Sequence, residues 1–321
     1  MTHDAVLAPA AAETRAERFR RLEAALWDHH GLRPTTRIVQ LEKPRVRLRV
    51  MEVGTGTPVL MVHGTVGPGS WASLIDAMGS GHRFIVLERP GWGGSESIDY
   101  RGRPHRDLAA DILRGVLDAL DIQRAVLLGG SIGDVWALSV AKFHPDRVER
   151  VILLGGGPLV AAAHRPSFIR LLASPIGALI VRLPVNADRG RSILRDSGHG
   201  PSLDAGVIPD AFIDWRVSLS NDTSAMRHER DMVRSLVRGD GWTPGFLFDD
   251  ADLGTIKPPT LMVYGTADPV GDVDIWRRFV RVMPSADLRV IDGAGHMPWF
   301  DEPQWVAGLV RRFLAERLAV S

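Results

Sequence analysis

The sequence predicts an α/β protein: a doubly wound, mostly parallel sheet with a helical segment inserted between two of its strands. Three observations predict it. Short, nearly continuous apolar runs at 59–62, 84–87, 125–128, 151–154 and 260–264 show little polar alternation, the pattern of strands buried on both faces. Helical stretches fall between the earlier runs, as connections between parallel neighbours require. From about 159 to 256 the alternation stops, leaving helical patterns and breakers such as Pro166, Pro175 and Pro184 before strands resume.

In chain order, residues 14–30 are charged, with Phe19, Leu22, Ala25 and Leu26 on one side, a surface helix in an N-terminal extension 1–33. Segments 36–41 and 46–53 alternate in character and open the sheet. Gly54-Thr-Gly-Thr-Pro58 is a turn, and strand 59–62 then runs into His63-Gly64-Thr65. The loop Val66-Gly-Pro-Gly69 leads to a helix from about Ser70 to Met78. Strand 84–87 enters Glu88-Arg-Pro-Gly-Trp-Gly-Gly-Ser95, and 108–120 is an amphipathic helix. Strand 125–128 gives way within a few residues to a helical run from Ile132, and strand 151–154 ends in Gly155-Gly-Gly-Pro158. After the insertion, strands at 260–264 and 287–291 and a terminal helix 304–318 close the chain. The expected domains are a core whose first segment spans 1–158 and whose second spans 257–321, with a helical cap, 159–256, between them.

With 321 residues, 45% of them hydrophobic, the chain can bury a sizeable core. Its net charge of +1 gives no footprint for nucleic acid or an anionic membrane surface. It has no cysteine, which excludes disulfides and thiol chemistry. No run approaches the roughly 18 apolar residues of a membrane span, and the apolar N-terminal patch lacks a basic start. A cytoplasmic protein acting on a small-molecule substrate is expected, with no cofactor, no metal, no nucleic-acid or membrane partner, and a homodimer left open.

The chemistry centres on Gly129-Gly130-Ser131-Ile132-Gly133, a G-x-S-x-G set between a buried strand and a helix. A serine in so sharp a turn needs glycines two residues to either side, where backbones approach closely. The hydroxyl then stands at the carboxyl edge of the sheet. Serine needs a base to take its proton, usually a histidine oriented by a carboxylate. Asp268 follows one later strand and His296 the next, and no other of the 11 histidines lies after Asp268.

His63-Gly64, Arg89-Pro-Gly-Trp-Gly-Gly-Ser95, the Ser131 elbow, Gly265-Thr-Ala-Asp268 and Gly293-Ala-Gly-His296 together resemble the α/β-hydrolase superfamily, in family order and spacing. The resemblance covers essentially the whole chain after the N-terminal helix. It implies Ser131 as nucleophile, His296 as base then acid, Asp268 as its orienter, and an oxyanion hole from the backbone N–H groups of Thr65 and Ile132. With Thr65 acting through its backbone, Thr65→Ala is expected to cost little and Thr65→Pro, which removes the N–H, to cost much. The resemblance also implies that His63 shapes the oxyanion loop. A serine rather than an aspartate at the elbow disfavours dehalogenase and epoxide hydrolase chemistry.

Asp134 departs from the family, which more often has a small residue there. It is expected either to complement the macrodipole in the first turn of its helix or to place a charge near the nucleophile. Another class is also written in the chain: Gly67-Pro-Gly69-Ser-Trp-Ala72 fits a loose dinucleotide fingerprint, with Glu88 near the ribose-binding position. Pro68 lacks an N–H for phosphate, and the fingerprint does not open directly from a strand.

For the substrate pocket, Val66, Trp215, Met297 and Trp299 are the expected lining, with Phe168, Leu171, Phe212 and Met226 as further apolar candidates. They suggest an ester, thioester or lactone of a small to medium apolar acid. The Gly-Pro-Gly69 loop is similar to that of hydrolases that split carbon–carbon bonds in ring-fission diketones. Those carry Trp directly after the histidine, where this chain has Met297. A relative that keeps the fold without hydrolysing, binding a ligand or isomerising it in the cap cavity, is the remaining alternative.

Overall fold

The computed structural model describes residues 13–157, 159–162, 167–239 and 241–316, with only the backbone of 167 and 168. Residues 1–12 of the expected extension and 317–318 of the closing helix lie outside the described residues.

Strands β1 Thr35–Glu42, β2 Arg45–Val53, β3 Gly56–Val62, β4 Gly81–Leu87, β5 Ala125–Gly130 and β6 Val148–Leu154 precede the inserted segment. Helices α1 Arg15–His29, α2 Ala72–Met78, α3 His105–Ala119 and α4 Ile132–Phe143 are interspersed among them. Two strands of the same sheet, β9 Thr260–Gly265 and β10 Ala286–Ile291, follow the segment, with α12 Val273–Val282, α13 Pro298–Asp301 and α14 Pro303–Ala315. The eight-stranded order is β1-β2-β4-β3-β5-β6-β9-β10. β1 with β2 and β2 with β4 are antiparallel, and every other neighbouring pair is parallel. This is the mostly parallel, doubly wound sheet the apolar runs predict.

Each buried run feeds two cores at once. Along β5, Ala125 and Leu127 pack into one cluster beneath α3 and α4, while Val126 and Leu128 pack into the other beside α2 and α14. With side chains alternating at period 2, both faces are dry, which explains why no polar residue interrupts the strand.

Between β6 and β9 run α5 Ser167–Ala173, α6 Gly177–Ile180, α7 Ala187–Leu194, α8 Gly200–Asp204, α9 Asp210–Asp222, α10 Ala225–Leu236 and α11 Asp250–Gly254. The segment is not purely helical, however. β7 Val237–Arg238 pairs with β8 Gly241–Trp242 in a small hairpin separate from the main sheet. Two-residue strands fall below what periodicity can register. The N-terminal helix is also more than a surface extension. It starts at a Thr14–Glu17 capping box, buries Phe19, Leu26 and Trp27, and pairs Arg18 with Asp222 of α9. Among the described residues, no helix is long and apolar enough to cross a membrane.

Candidate active site

Ser131 stands between β5 and α4 with φ 57° and ψ −120°, one of two non-glycine residues with positive φ among those described. Such a conformation costs on the order of 1–3 kcal/mol and persists only where the surroundings impose it. They do so here through the elbow glycines. A Cβ at Gly129 would come within 2.6 Å of the Gly133 backbone, and one at Gly133 would collide with the Val62 carbonyl. Strand β3 and helix α4 can therefore close around the turn only without side chains at these positions.

Asp268 and His296 reach the same edge from the loops after β9 and β10. The buried Asp268 carboxylate accepts N–H bonds from Gly156 and Val270, both 2.8 Å, while its Oδ2 lies 3.0 Å from His296 Nδ1. Two backbone donors thus aim the carboxylate at the ring. Burial works against charging His296, but the Asp268 charge and hydrogen bond outweigh it, and the pKa is raised above the usual value. Ser131, His296, Thr65 and Ile132 all line one pocket. Gly64 lies against the nucleophile candidate: a Cβ there would approach Ser131 Cβ to 2.8 Å. Fully buried His63 donates from Nδ1 to Gly64 O at 2.7 Å and accepts the Arg89 N–H at Nε2, 3.2 Å. Its pKa is pushed far down by burial and the nearby Arg89, so it is a neutral brace for this loop.

The pocket wall differs from the sequence expectation. Val66, Trp215, Met297 and Trp299 are not on it. Trp215 is fully buried, packed over Gly67 and Gly69, and Trp299 stacks on Trp71 at 4.6 Å and donates to Ser70 O. Met297 is buried in the same core, which Val66 packs against. These apolar residues serve the core, filling the space behind the glycine-rich loop 63–69. Phe212 is likewise core, Leu171 faces solvent, Met226 touches Arg216, and the Phe168 side chain lies outside the described residues. The wall is instead Ile169, Met232, Val233, Leu236, Trp242 and Val270, with Glu229 and Ser197 as polar members.

Glu229 and Arg216 escaped the sequence reading. Glu229 of α10 accepts from Thr65 Oγ1 at 3.0 Å, Arg89 Nη2 at 2.8 Å and Trp92 Nε1 at 3.1 Å. The Thr65 hydroxyl is therefore occupied. Arg216 of α9 donates to Thr65 O at 3.3 Å and Ser220 Oγ at 2.5 Å, and no carboxylate among the described residues forms an ion pair with it. Burial lowers its pKa to about 10, leaving it charged at neutral pH. One carboxylate against two guanidinium groups leaves a net positive charge behind the loop that carries Thr65. Both residues had a signal in the sequence. Glu229 interrupts the stripe Ala225, Met232, Val233, Leu236, and Arg216 lies one turn from Phe212 and Ile213 on a buried face.

Asp134 is fully buried, and desolvation raises its pKa far above the carboxylate range. It stands in the first turn of α4, where the macrodipole reading expects it, while burial disfavours the charge that either reading calls for. Glu88 is bound by Arg49 at 2.6 Å and by the Gly94 N–H at 2.7 Å, and the Gly67–Gly69 loop is filled by Trp215. Nothing is left there for a dinucleotide. Among the described residues no group of three or more His, Asp or Glu could hold a metal ion.

A family model described as alpha/beta hydrolase family matches residues 59–309. A 2-hydroxy-6-oxononadienedioate/2-hydroxy-6-oxononatrienedioate hydrolase of Burkholderia vietnamiensis is 31% identical over 294 residues, covering 89% of this chain and 97% of its own. A hydrolase of the same description from Paraburkholderia phymatum is 29% identical, covering 89% and 98%. Among solved structures, carboxylesterase CesB of Bacillus subtilis superposes with a TM-score of 0.75 at 18% identity, over 95% of this chain and 99% of that one. A meta-cleavage product hydrolase of Pseudomonas fluorescens gives 0.66 at 21% identity, over 87% and 97%. At such identities the superpositions speak for the fold.

Proposed function

The chain belongs to the alpha/beta hydrolase family, and we propose that it hydrolyses a carbon–carbon bond in an acidic diketone of the ring-fission type, through an acyl-enzyme on Ser131. The relatives' substrate name describes a dicarboxylate carrying two oxygenated carbons joined by a conjugated chain. In its diketo form, attack on the distal ketone lets the neighbouring carbon leave as a carbanion delocalised onto the other carbonyl. Ser131 Oγ attacks while His296 takes its proton, and Asp268 stabilises the imidazolium that forms. The oxyanion is received by the N–H groups of Thr65 and Ile132. His296 then protonates the departing enolate, and water, activated by the same histidine, frees the acid.

The observation that carries this reading over a neutral ester is Arg216, a half-buried guanidinium that forms no ion pair with a carboxylate among the described residues and donates to the carbonyl of Thr65, a residue of the pocket wall. A neutral substrate gives such a charge nothing to compensate it. An ester of an apolar acid is the second reading, favoured by the aliphatic wall and by Met297 in place of tryptophan after His296. One experiment separates the two: kcat/KM for a ring-fission diketone acid and for p-nitrophenyl butyrate, in wild type and Arg216→Leu. The expected result is about a hundredfold loss on the acid, the value of a charge-assisted pair, and less than about threefold on the ester. Turnover of the ester alone overturns the carbon–carbon reading.

A further inference from the structure

The loop carrying His296 belongs to no strand or helix, yet three successive N–H groups in it are tied down by the cap or its anchor. Gly295 N–H donates to Asp301 Oδ2 at 2.8 Å, His296 N–H to Ser197 O at 2.9 Å, and Met297 N–H to His199 Nε2 at 3.1 Å. Ser197 and His199 lie in the wide turn between α7 and α8, inside the cap. His199 is fully buried, with Nδ1 2.8 Å from Asp301 Oδ2, and Asp301 also accepts from Ser202 Oγ at 2.5 Å. The backbones interlock as well. At Gly198, with φ +90°, a Cβ would fall within 2.8 Å of Gly295 Cα, and one at Gly295 within 2.6 Å of Ser197 O.

These contacts fix the tautomer of His199. Nε2 accepts the Met297 N–H, so it carries no proton, and Nδ1–H donates to Asp301. The result is a second aspartate–histidine pair beside the first, one that touches no reacting atom. We propose that His199 is a positioning residue: with Ser197 and Asp301 it holds the His296 loop in the working geometry, so that the cap forms part of the catalytic apparatus. This rests on the reading of His296 as the base for Ser131. A displacement of about 1 Å at a reacting group can cost on the order of a hundredfold in rate, whereas neither His199 nor Asp301 lines the pocket.

The test uses a fluorophosphonate probe, with its inactivation rate constant and half-saturating concentration read separately. Amide exchange across 295–297 is followed by mass spectrometry on the same full-length variants. In His199→Ala the rate constant falls about 10- to 100-fold, the half-saturating concentration moves less than about threefold, and exchange at 295–297 accelerates. His199→Gln, whose amide oxygen reaches the Met297 N–H, recovers the rate to within about threefold and restores protection. Wild-type rate and exchange in His199→Ala overturn the proposal, and so does a loss that His199→Gln fails to rescue, since that is lost packing. If the alanine variant does not fold, Asp301→Asn, which keeps the side-chain shape, shows the same split at smaller amplitude. Unchanged rate and exchange in it are equally fatal. A wild-type protein that the probe does not label refutes the nucleophile reading instead, and the exchange results then decide the clamp alone.

Discussion

On the sheet side of the pocket, each working group stands just past the carboxyl end of a strand, and backbone holds it there. Ser131 is fixed by an imposed φ, and Asp268 by two peptide N–H groups. On the inserted segment, Glu229 and His199 are held mainly by side chains: a guanidinium, a hydroxyl, an indole, a second carboxylate. Backbone ladders keep their geometry whatever the side chains do, whereas side-chain ties depend on each partner being present. Substitutions on the two sides should therefore fail differently, the sheet side in chemistry and the cap side in stability and alignment.

The largest contrast is expected at the sheet edge. Ser131→Ala, His296→Ala and Asp268→Asn should each lower turnover by about three or more orders of magnitude while unfolding at wild-type denaturant. Wild-type turnover in Asp268→Asn would remove the carboxylate from the mechanism.

The same division decides what could be read from the sequence. Ser131, its glycines and the strands around it are local features: the collision of a Gly133 side chain with Val62 is implied by the turn itself. The two proposed partners of Ser131, Asp268 and His296, are legible because parallel strands deliver their ends to one edge. The cap residues draw their meaning from partners far along the chain, 164 positions for Glu229 with Thr65 and 98 for Met297 with His199, which no window of sequence spans. Aromatic residues misled for a related reason. Trp215 and Trp299 look like pocket walls, but a glycine-rich oxyanion loop supplies no bulk of its own, and the aromatics fill the space behind it.

On the cap side, Glu229→Ala strands Arg89, which is wholly buried, without its charge partner. A loss of about 3–5 kcal/mol in unfolding free energy is expected, as for other broken buried pairs. The double variant Glu229→Met with Arg89→Met should recover most of it, because neither charge is then left alone. Urea unfolding measures both, and a Glu229→Ala loss under about 1 kcal/mol would mean that the latch carries no weight.

The next effect concerns pH. His296 works as a base only when neutral, and Asp268 raises its pKa by favouring the charged ring. Fluorophosphonate labelling should thus fall as pH drops through an inflection above about 6.5, the ordinary histidine value, by about tenfold per unit on the acid limb. In Asp268→Asn the residual activity should keep its plateau to lower pH. An inflection that stays in place would assign the titration to a group outside the pair.

The smallest effect expected lies where the two sides touch. Thr65 is the proposed backbone donor on the sheet side and gives its hydroxyl to Glu229 on the cap side. Thr65→Ser keeps both and should stay within about twofold of wild type in kcat. Thr65→Val keeps shape and backbone but removes one of the donors to Glu229. The carboxylate retains Arg89 and Trp92, so the loss should be about 1 kcal/mol of stability, near the ordinary net value of one hydrogen bond. The remaining hydrogen bond from the inserted segment to this residue would be that of Arg216 to Thr65 O, and kcat should fall by about three- to fivefold with KM little changed. If Thr65→Val matches wild type in both quantities, the hydroxyl tie only accompanies the closed cap, and the oxyanion loop owes its position to His63 and Trp215 beneath it. If kcat falls without any loss of stability, the hydroxyl acts on the substrate itself, and Thr65 belongs wholly to the sheet side.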